Sequence, residues 1–383
     1  MPEEVLAVVD SPPAEVSKRM KRALQSHIEA CKLVSEKLKK RVAASDFSEN
    51  EHLLAASELV DRGFASRFEN IADYEEALSN ASLLLSRRAL TGQSETRQSN
   101  EVAARTCFHR GNLLRLKCRL DDAWDSLEEG EARARSGVGT PKTMIEGVRL
   151  RADLLADSYQ PVEALEEQAR CVEIATASSL KELKNGCEVD YVSQRYFGPT
   201  SQETEEEMLT GVQKLRQLLE SPETTKYYRA VAAANIGAGL SSLGRPFSEI
   251  DRALLQADQI SEGAPVLRIS LIRIRGLALG SRGRSEEALS LISEAAQRSA
   301  TIGHPRLFVK SMLDVADILV EGQAWSQAAP VALQGAKLAS SLKLPRAFAE
   351  AAEMFAEAVA AGNLGAEAQS QLRSLISTSA RTK

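Results

Sequence analysis

The sequence predicts an all-α fold built from repeated pairs of antiparallel helices, and three observations carry that prediction. The 383 residues include only nine Phe, six Tyr and two Trp, which are too few rings for a large conventional core. Ala, Leu, Glu, Arg, Ser and Gln make up the bulk, a composition that favours closely packed helices over sheets. From residue 141 onward, prolines recur at spacings of mostly one or two multiples of about twenty, and small residues repeat about every forty.

The prolines mark where helices begin or end. A proline inside a helix loses a backbone hydrogen bond and clashes with the preceding turn, so it is expected at helix ends or in first turns. The chain is therefore predicted to consist of helices of roughly 14 to 17 residues joined by short turns. Pro330 falls within a periodic stretch and is expected in the first turn of its helix. The prolines of this series are residues 141, 161, 199, 222, 246, 265, 305, 330 and 345.

The clearest helix pair runs from Ile272 to Ala300, with small or apolar residues at offsets of 3, 7, 12, 16 and 19 from its first glycine. A second stretch, which begins at Gly111, has the same offsets. This pattern resembles the tetratricopeptide repeat (TPR), in which two antiparallel helices cross at small residues. The resemblance implies a right-handed α-solenoid of about eight TPR-like helix pairs. The residues that carry the pattern are Gly276, Leu279, Gly283, Ala288, Ile292 and Ala295, and then Gly111, Leu114, Cys118, Ala123, Leu127 and Gly130.

Further copies are less regular. One contains Ala152 and Ala164, and another keeps Gly237 but slips by one residue, so that Ile250 takes the small-residue site of the second helix. Three pairs of equivalent residues lie 41, 39 and 40 residues apart, namely Ala123 and Ala164, Gly237 and Gly276, and Ala288 and Ala328. This spacing exceeds the 34 residues of the TPR and is similar to that of the helical repeats in sensor regions of large bacterial transcription activators.

The N-terminal region is predicted to differ from the repeats. Residues 14–45 are strongly basic, and their apolar positions recur every three or four residues, as in a helix with one buried stripe. We expect this helix to cap the first repeat; a partner-binding or coiled-coil arm is the alternative. The predicted organisation is thus a tail and capping helix over 1–50, a superhelical repeat domain over 51–378 and a short tail over 379–383.

The overall charge argues against a nucleic-acid ligand. There are 48 basic and 53 acidic residues, a formal net charge of −5, so no general positive field would attract DNA or RNA.

Acidic residues near the N-terminus do not suit a secretory signal, and no stretch has the ~20 apolar residues of a membrane span. Five widely spaced cysteines do not predict a disulfide framework. We therefore expect a reduced, cytoplasmic protein with no membrane partner.

No sequence pattern predicts an enzyme, a cofactor or a metal. The one Cys/His cluster comprises Cys107, His109 and Cys118, and on a helix His109 would point away from both cysteines. Packing cysteines and a surface histidine are expected there. The glycine clusters lack the spacing of nucleotide-binding loops, and crossing helices explain them.

The repeat register places one face of the first helices along a concave groove. The residues expected to face a partner there are Arg105, Phe108, Asn112, Arg115, Arg149, Asp153 and Arg273, with Asn235, Ala238 and Leu277 at related positions. The arginines offer planar donors to a carboxylate, which favours an acidic protein or peptide segment as the partner. The function predicted is a non-enzymatic protein-interaction module, that is, a scaffold, adaptor or inhibitor of a separate effector. The alternative is a regulator of a bacterial signalling, transcription or defence system that senses a peptide or small ligand.

Overall fold

A computed structural model describes residues 29, 33, 34, 36–38, 47, 49–66, 71–90, 96–197, 204–261, 264–365 and 369 of the chain. These residues contain fifteen α-helices and no strand. In chain order the helices are α1 (Glu49–Ser66), α2 (Ile71–Leu90), α3 (Arg97–Leu116), α4 (Leu120–Ser136), α5 (Pro141–Asp157), α6 (Pro161–Ala177), α7 (Lys181–Phe197), α8 (Glu205–Glu220), α9 (Lys226–Ser242), α10 (Phe247–Ile260), α11 (Pro265–Gly280), α12 (Ser285–Thr301), α13 (Pro305–Glu321), α14 (Trp325–Ser341) and α15 (Arg346–Ala360). The all-α prediction is confirmed.

Prolines define several helix starts, as the sequence predicts. The first residues of α5, α6, α11 and α13 are all prolines, and α10 and α15 each follow one directly. Pro330 is different, because α14 begins at Trp325 and Pro330 is therefore its sixth residue. The expectation of a first-turn position is wrong by one turn, since the alanine-rich helix starts earlier than the periodicity indicates.

The helices pack as an α-solenoid in two layers. Each odd-numbered helix from α1 to α13 pairs with the helix that follows it, and α1, α3 and α5 contact one another in turn, as do α7, α9, α11 and α13. The inner helices α9, α11 and α13 each bury eleven residues, whereas the outer helices α10 and α12 each bury four. The inner layer is thus enclosed on most sides, and the outer layer buries one stripe. The second helix of the predicted eighth pair lies outside the described residues, except residue 369.

Small residues sit where the paired helices cross. A Cβ atom added to Gly276 would lie 3.3 Å from the carbonyl oxygen of Ala288, and one added to Gly111 would lie 3.2 Å from that of Ala123. In the irregular copy, a Cβ on Gly237 would lie 3.6 Å from the carbonyl oxygen of Ile250. The crossing points and the one-residue slip therefore match the sequence prediction.

The turn within a helix pair contains a residue whose backbone has the left-handed conformation, with positive φ. Gly244 and Gly283 occupy this position in two pairs, with φ of 64° and 74°. Cys118 and Tyr159 occupy it in the α3/α4 and α5/α6 pairs, with φ of 60° and 58°. Cys118 therefore lies beyond the end of α3, whereas the sequence analysis placed it on the helix.

The N-terminal end of the solenoid is covered by residues from the predicted cap. Val34 and Phe47 are buried with Ala55 and Val60 of α1. Most of the predicted capping helix, and the tail over 379–383, lie outside the described residues. The proposed domain boundaries remain a prediction.

The solenoid also curls so that distant repeats touch. Arg306 at the start of α13 forms an ion pair with Asp157 at the end of α5. The Tyr159 ring stacks on Phe348 of α15, with ring centroids 6.3 Å apart, and Cys118 is buried in the cluster formed by α13, α14 and α15. We call these five residues the closure contact.

Candidate functional site on the inner helices

A series of ion pairs joins α3 to α5, α5 to α7 and α11 to α13, which are inner helices of successive repeats. Arg105 of α3 donates to Glu146 of α5 at 2.8 Å, and the two residues are 41 apart. Arg149 to Asp190 and Arg273 to Asp314 have the same separation, and Arg115 to Asp157 is 42. Since the repeat is about forty residues long, equivalent positions of successive repeats are linked. We call this series of four pairs the inner ladder.

The first pair of the ladder lies in a buried polar network. The Arg105 guanidinium donates to Glu146 and, at 2.7 Å, to Asp61 of α1. His109 Nε2 lies 3.5 Å from the Glu146 carboxylate. Burial by itself would raise the pKa of Glu146, but His109 and Arg105 outweigh burial and lower that pKa to about 2.

His109 is not the surface residue that the sequence predicts. Its side chain is buried, and its ring lies against Phe64 with centroids 4.7 Å apart. The Tyr74 hydroxyl donates to the backbone carbonyl of His109 at 2.8 Å. The face of α3 that looked solvent-exposed from its spacing is covered by the preceding helix pair. Cys107 and Cys118 are buried thiols, as expected.

The second pair of the ladder lies at the other end of α3. Arg115 donates to Asp157 at 2.8 Å and to the Asn112 side-chain oxygen at 3.0 and 3.1 Å. Asp153 lies farther away, at 3.8 Å. Burial favours the neutral form of Asp157, but Arg306 and Arg115 together hold its pKa at about 2. The carboxylate of Asp157 is therefore ionised and shared between two guanidinium groups.

The remaining pairs continue the ladder. Arg149 contacts Asp190 and the Tyr228 hydroxyl through the same nitrogen, Nη2, and its guanidinium lies over the Tyr228 ring at 5.0 Å from the centroid. Arg273 and Asp314 have side chains only 3% and 5% exposed. A neutral contact supplements the ladder between α7 and α9, where the Asn235 amide donates to Ser193 at 2.7 Å.

The structure brings five of the predicted site residues together on α3 and α5. Within this group Arg149, Asp153 and Asn112 are partly exposed, whereas Arg105 and Arg115 are almost fully covered by their partners. Arg273 lies on α11, three inner helices further along. Phe108 lies in the core, where its ring would meet a Cβ added to Gly130 or Gly147 at 2.5 and 2.8 Å. No part of the groove is lined by this ring.

The arginines are not the open donors that the repeat register predicts, because each has an acidic partner. These partners are Glu146, Asp157, Asp190 and Asp314, each one repeat after its arginine. The signal was present in the sequence, because a charge of opposite sign recurs at the repeat spacing. An isolated helix gives no reason to look 41 residues ahead, but a repeat register does.

The recess between Arg149, Asp153 and Asp190 also touches Cys171 and Cys187, and it is too narrow to hold a water molecule. Within the described ranges, no group of three or more His, Cys, Asp or Glu is arranged to hold a metal, and no helix is long and apolar enough to cross a membrane.

No protein-family model and no curated protein matches the chain. Among solved structures, a Rap protein complexed with competence and sporulation factor is similar, with a TM-score of 0.54 and 15% identity over 96% of this chain and 99% of that one. The fold is that of a TPR-like helical-repeat protein. A Signal Transduction ATPase with Numerous Domains with a tetratricopeptide repeat sensor, from Pyrococcus horikoshii, gives a TM-score of 0.44 and 14% identity over 89% of this chain and 50% of that one.

Proposed function

We propose that this chain is a non-enzymatic protein-interaction module that binds an extended segment of a partner along the inner face of α3, α5 and α7. The observation that carries the proposal is the group of partly exposed polar side chains on adjacent inner helices, Asn112, Arg149 and Asp153. Together they offer amide, guanidinium and carboxylate groups within one strip. Solenoids commonly use such an extended concave surface for binding.

The chemistry of Arg149 supports an acidic partner. Its contacts with Asp190 and Tyr228 both use Nη2. An arginine carries five N–H donors in a planar fork, and 15% of the Arg149 side chain is exposed, so a carboxylate of the partner would approach this exposed edge. Arg105 and Arg115 would act mainly by holding the strip in shape, because their donors already meet acidic side chains of the ladder.

The fold comparison supports a protein or peptide ligand. A Rap protein of the same fold, aligned over nearly the whole length of both chains, was solved in complex with competence and sporulation factor. By analogy we propose that this chain recruits or inhibits a separate effector in a cytoplasmic regulatory system of a bacterium. A ligand-sensing regulator is the second candidate, and the closure contact is the observation that favours it.

The test selects acidic and neutral 12-residue peptides from a displayed library against the full chain and measures their affinity. Arg149→Lys keeps the charge but removes the planar donors, and we expect it to weaken selected peptides at least tenfold. Arg170→Lys, on the exposed face of outer helix α6, is the matched control and should leave the affinity unchanged. Equal affinity of the selected peptides for the wild type and Arg149→Lys would reject the site. Photo-crosslinking of a bound peptide to the outer helices alone would also reject it. Far-UV circular dichroism of each variant shows that the fold is kept.

A further inference from the structure

The closure contact joins parts of the chain that no repeat-to-repeat contact brings together. Asp157 and Arg306 are 149 positions apart, and Tyr159 and Phe348 are 189 apart. The contact includes one ion pair, one ring stack and one buried thiol.

Two of these residues occupy strained backbone positions. Cys118 and Tyr159 have φ near +60°, in the region where equivalent turns of the α9/α10 and α11/α12 pairs have Gly244 and Gly283. Side chains with a Cβ adopt this region at a cost. At these two positions the side chains also belong to the closure contact: the ring meets Phe348, and the thiol is 7% exposed among residues of α13 to α15.

The ion pair links the closure contact to the inner ladder. The Asp157 carboxylate accepts from Arg115 on the ladder side and pairs with Arg306 on the α13 side. If α13 moves away from α5, Asp157 keeps its Arg115 partner, and Arg306 must find water or another acid. An ionised carboxylate with two cationic partners can therefore release one without being left buried and unpaired.

We propose that the closure contact is a latch that controls access to the inner face, with a closed state as described and an open state in which α13 to α15 move away from the ends of α3 and α5. Small rotations at each repeat add up along a solenoid, so loss of the closure contact would let its curl open. The latch itself does not depend on the proposed function. Only its consequence rests on that function, namely that a partner segment reaches α3, α5 and α7 in the open state.

The first experiment uses the native thiols as reporters. Wild type and variants of the full chain are treated with a maleimide, and the labelling rate of each cysteine is measured by peptide mass spectrometry. Tyr159→Gly removes the ring and relieves the positive φ, so the fold is retained while the latch is weakened. We expect the labelling rate of Cys118 to rise at least fivefold relative to Cys107, which is equally buried but lies outside the closure contact.

The matched control is Gln323→Gly. Gln323 has a φ of 59° in the turn of the α13/α14 pair and is exposed, so the same backbone relief occurs without loss of a closure residue. It should leave the Cys118 to Cys107 ratio unchanged. An unchanged ratio in Tyr159→Gly, or an equal rise for all buried cysteines, would overturn the latch.

The second experiment measures shape. Arg306→Met removes the ion pair, and we expect small-angle X-ray scattering to show a larger maximum dimension than for the wild type. Arg268→Met removes a surface ion pair of α11 with Asp258 and should keep the wild-type curve. A wild-type curve for a folded Arg306→Met would contradict the proposal, and the thiol experiment decides if that variant does not fold. Neither experiment needs a ligand, so the latch and the proposed peptide site can fail separately.

Discussion

Two glycines of α11 provide a sharp test of how the helix pairs are packed. A Cβ on Gly276 would lie 2.5 Å from Cγ1 of Ile292, a side chain that is fully buried and has no room to withdraw. A Cβ on Gly280 would lie 3.4 Å from Ile318, an ordinary van der Waals contact. Replacement by alanine should therefore have opposite effects one helical turn apart.

The expected magnitudes follow from two competing effects. Alanine in a helix gains about 0.5 to 1 kcal/mol over glycine, because it restricts the unfolded chain. Overpacking of a filled core costs about 1 to 3 kcal/mol. Gly276→Ala should thus lower the free energy of unfolding by about 1 to 2 kcal/mol. Gly280→Ala, at the helix end where the gain is small, should raise it by about 0.5 kcal/mol.

The assay is urea denaturation of both variants, followed by circular dichroism. Comparison of the two variants matters more than either absolute value, because long repeat arrays need not unfold in a single step. Equal midpoints, or a less stable Gly280→Ala, would refute the assignment of Gly276 as the crossing point of α11 and α12.

Three other outcomes are expected. Asp314→Asn should lower the free energy of unfolding by about 3 to 5 kcal/mol in urea, since it removes the carboxylate that pairs with the buried Arg273 guanidinium. A second change, Arg273→Met, should recover most of that loss. Burial, with Arg306 and Arg115, lowers the pKa of His304 from 6.5 to about 4, so the unfolded chain binds a proton in that range and the folded chain does not. The free energy of unfolding should therefore fall by up to about 3 kcal/mol as the pH drops from 6.5 to 4. His304→Asn keeps a side-chain acceptor for the Leu307 N–H at the start of α13 and should remove this part of the pH dependence. Lys343→Gly should raise the thermal midpoint by relieving a φ of 51°, whereas Gly244→Ala, at a φ of 64°, should lower it; a change of the same sign in both would contradict the turn geometry.

The architecture could be predicted because it depends on local rules. Proline at a first helical position and a small residue at a helix crossing are constraints within one repeat, and both are visible in the spacing around Gly276 and Ala288. Pro330 shows the limit of the rule, since an alanine-rich helix extends one turn ahead of it.

The candidate site was predicted less well because its state depends on the next repeat. Arg105, Arg115 and Arg149 lie on inner helices, but whether they are open donors depends on the residues that stand 41 or 42 positions later. The closure contact could not be predicted from the sequence. It depends on curvature accumulated over four helix pairs, and nothing in the residues around Asp157 or Arg306 indicates that they meet.

The wide separation of Asp157 and Arg306 also bears on the order in which the molecule folds. Contacts within and between adjacent repeats close short loops, so stacking can start at several places and spread along the chain. Joining α5 to α13 closes a loop of about 150 residues, which has a larger entropic cost. The ends should therefore meet only after the repeats between them are in place. Unfolding should begin at the closure contact. Hydrogen exchange of the backbone amides in the turns that contain Cys118 and Tyr159 should therefore report the earliest opening of the solenoid.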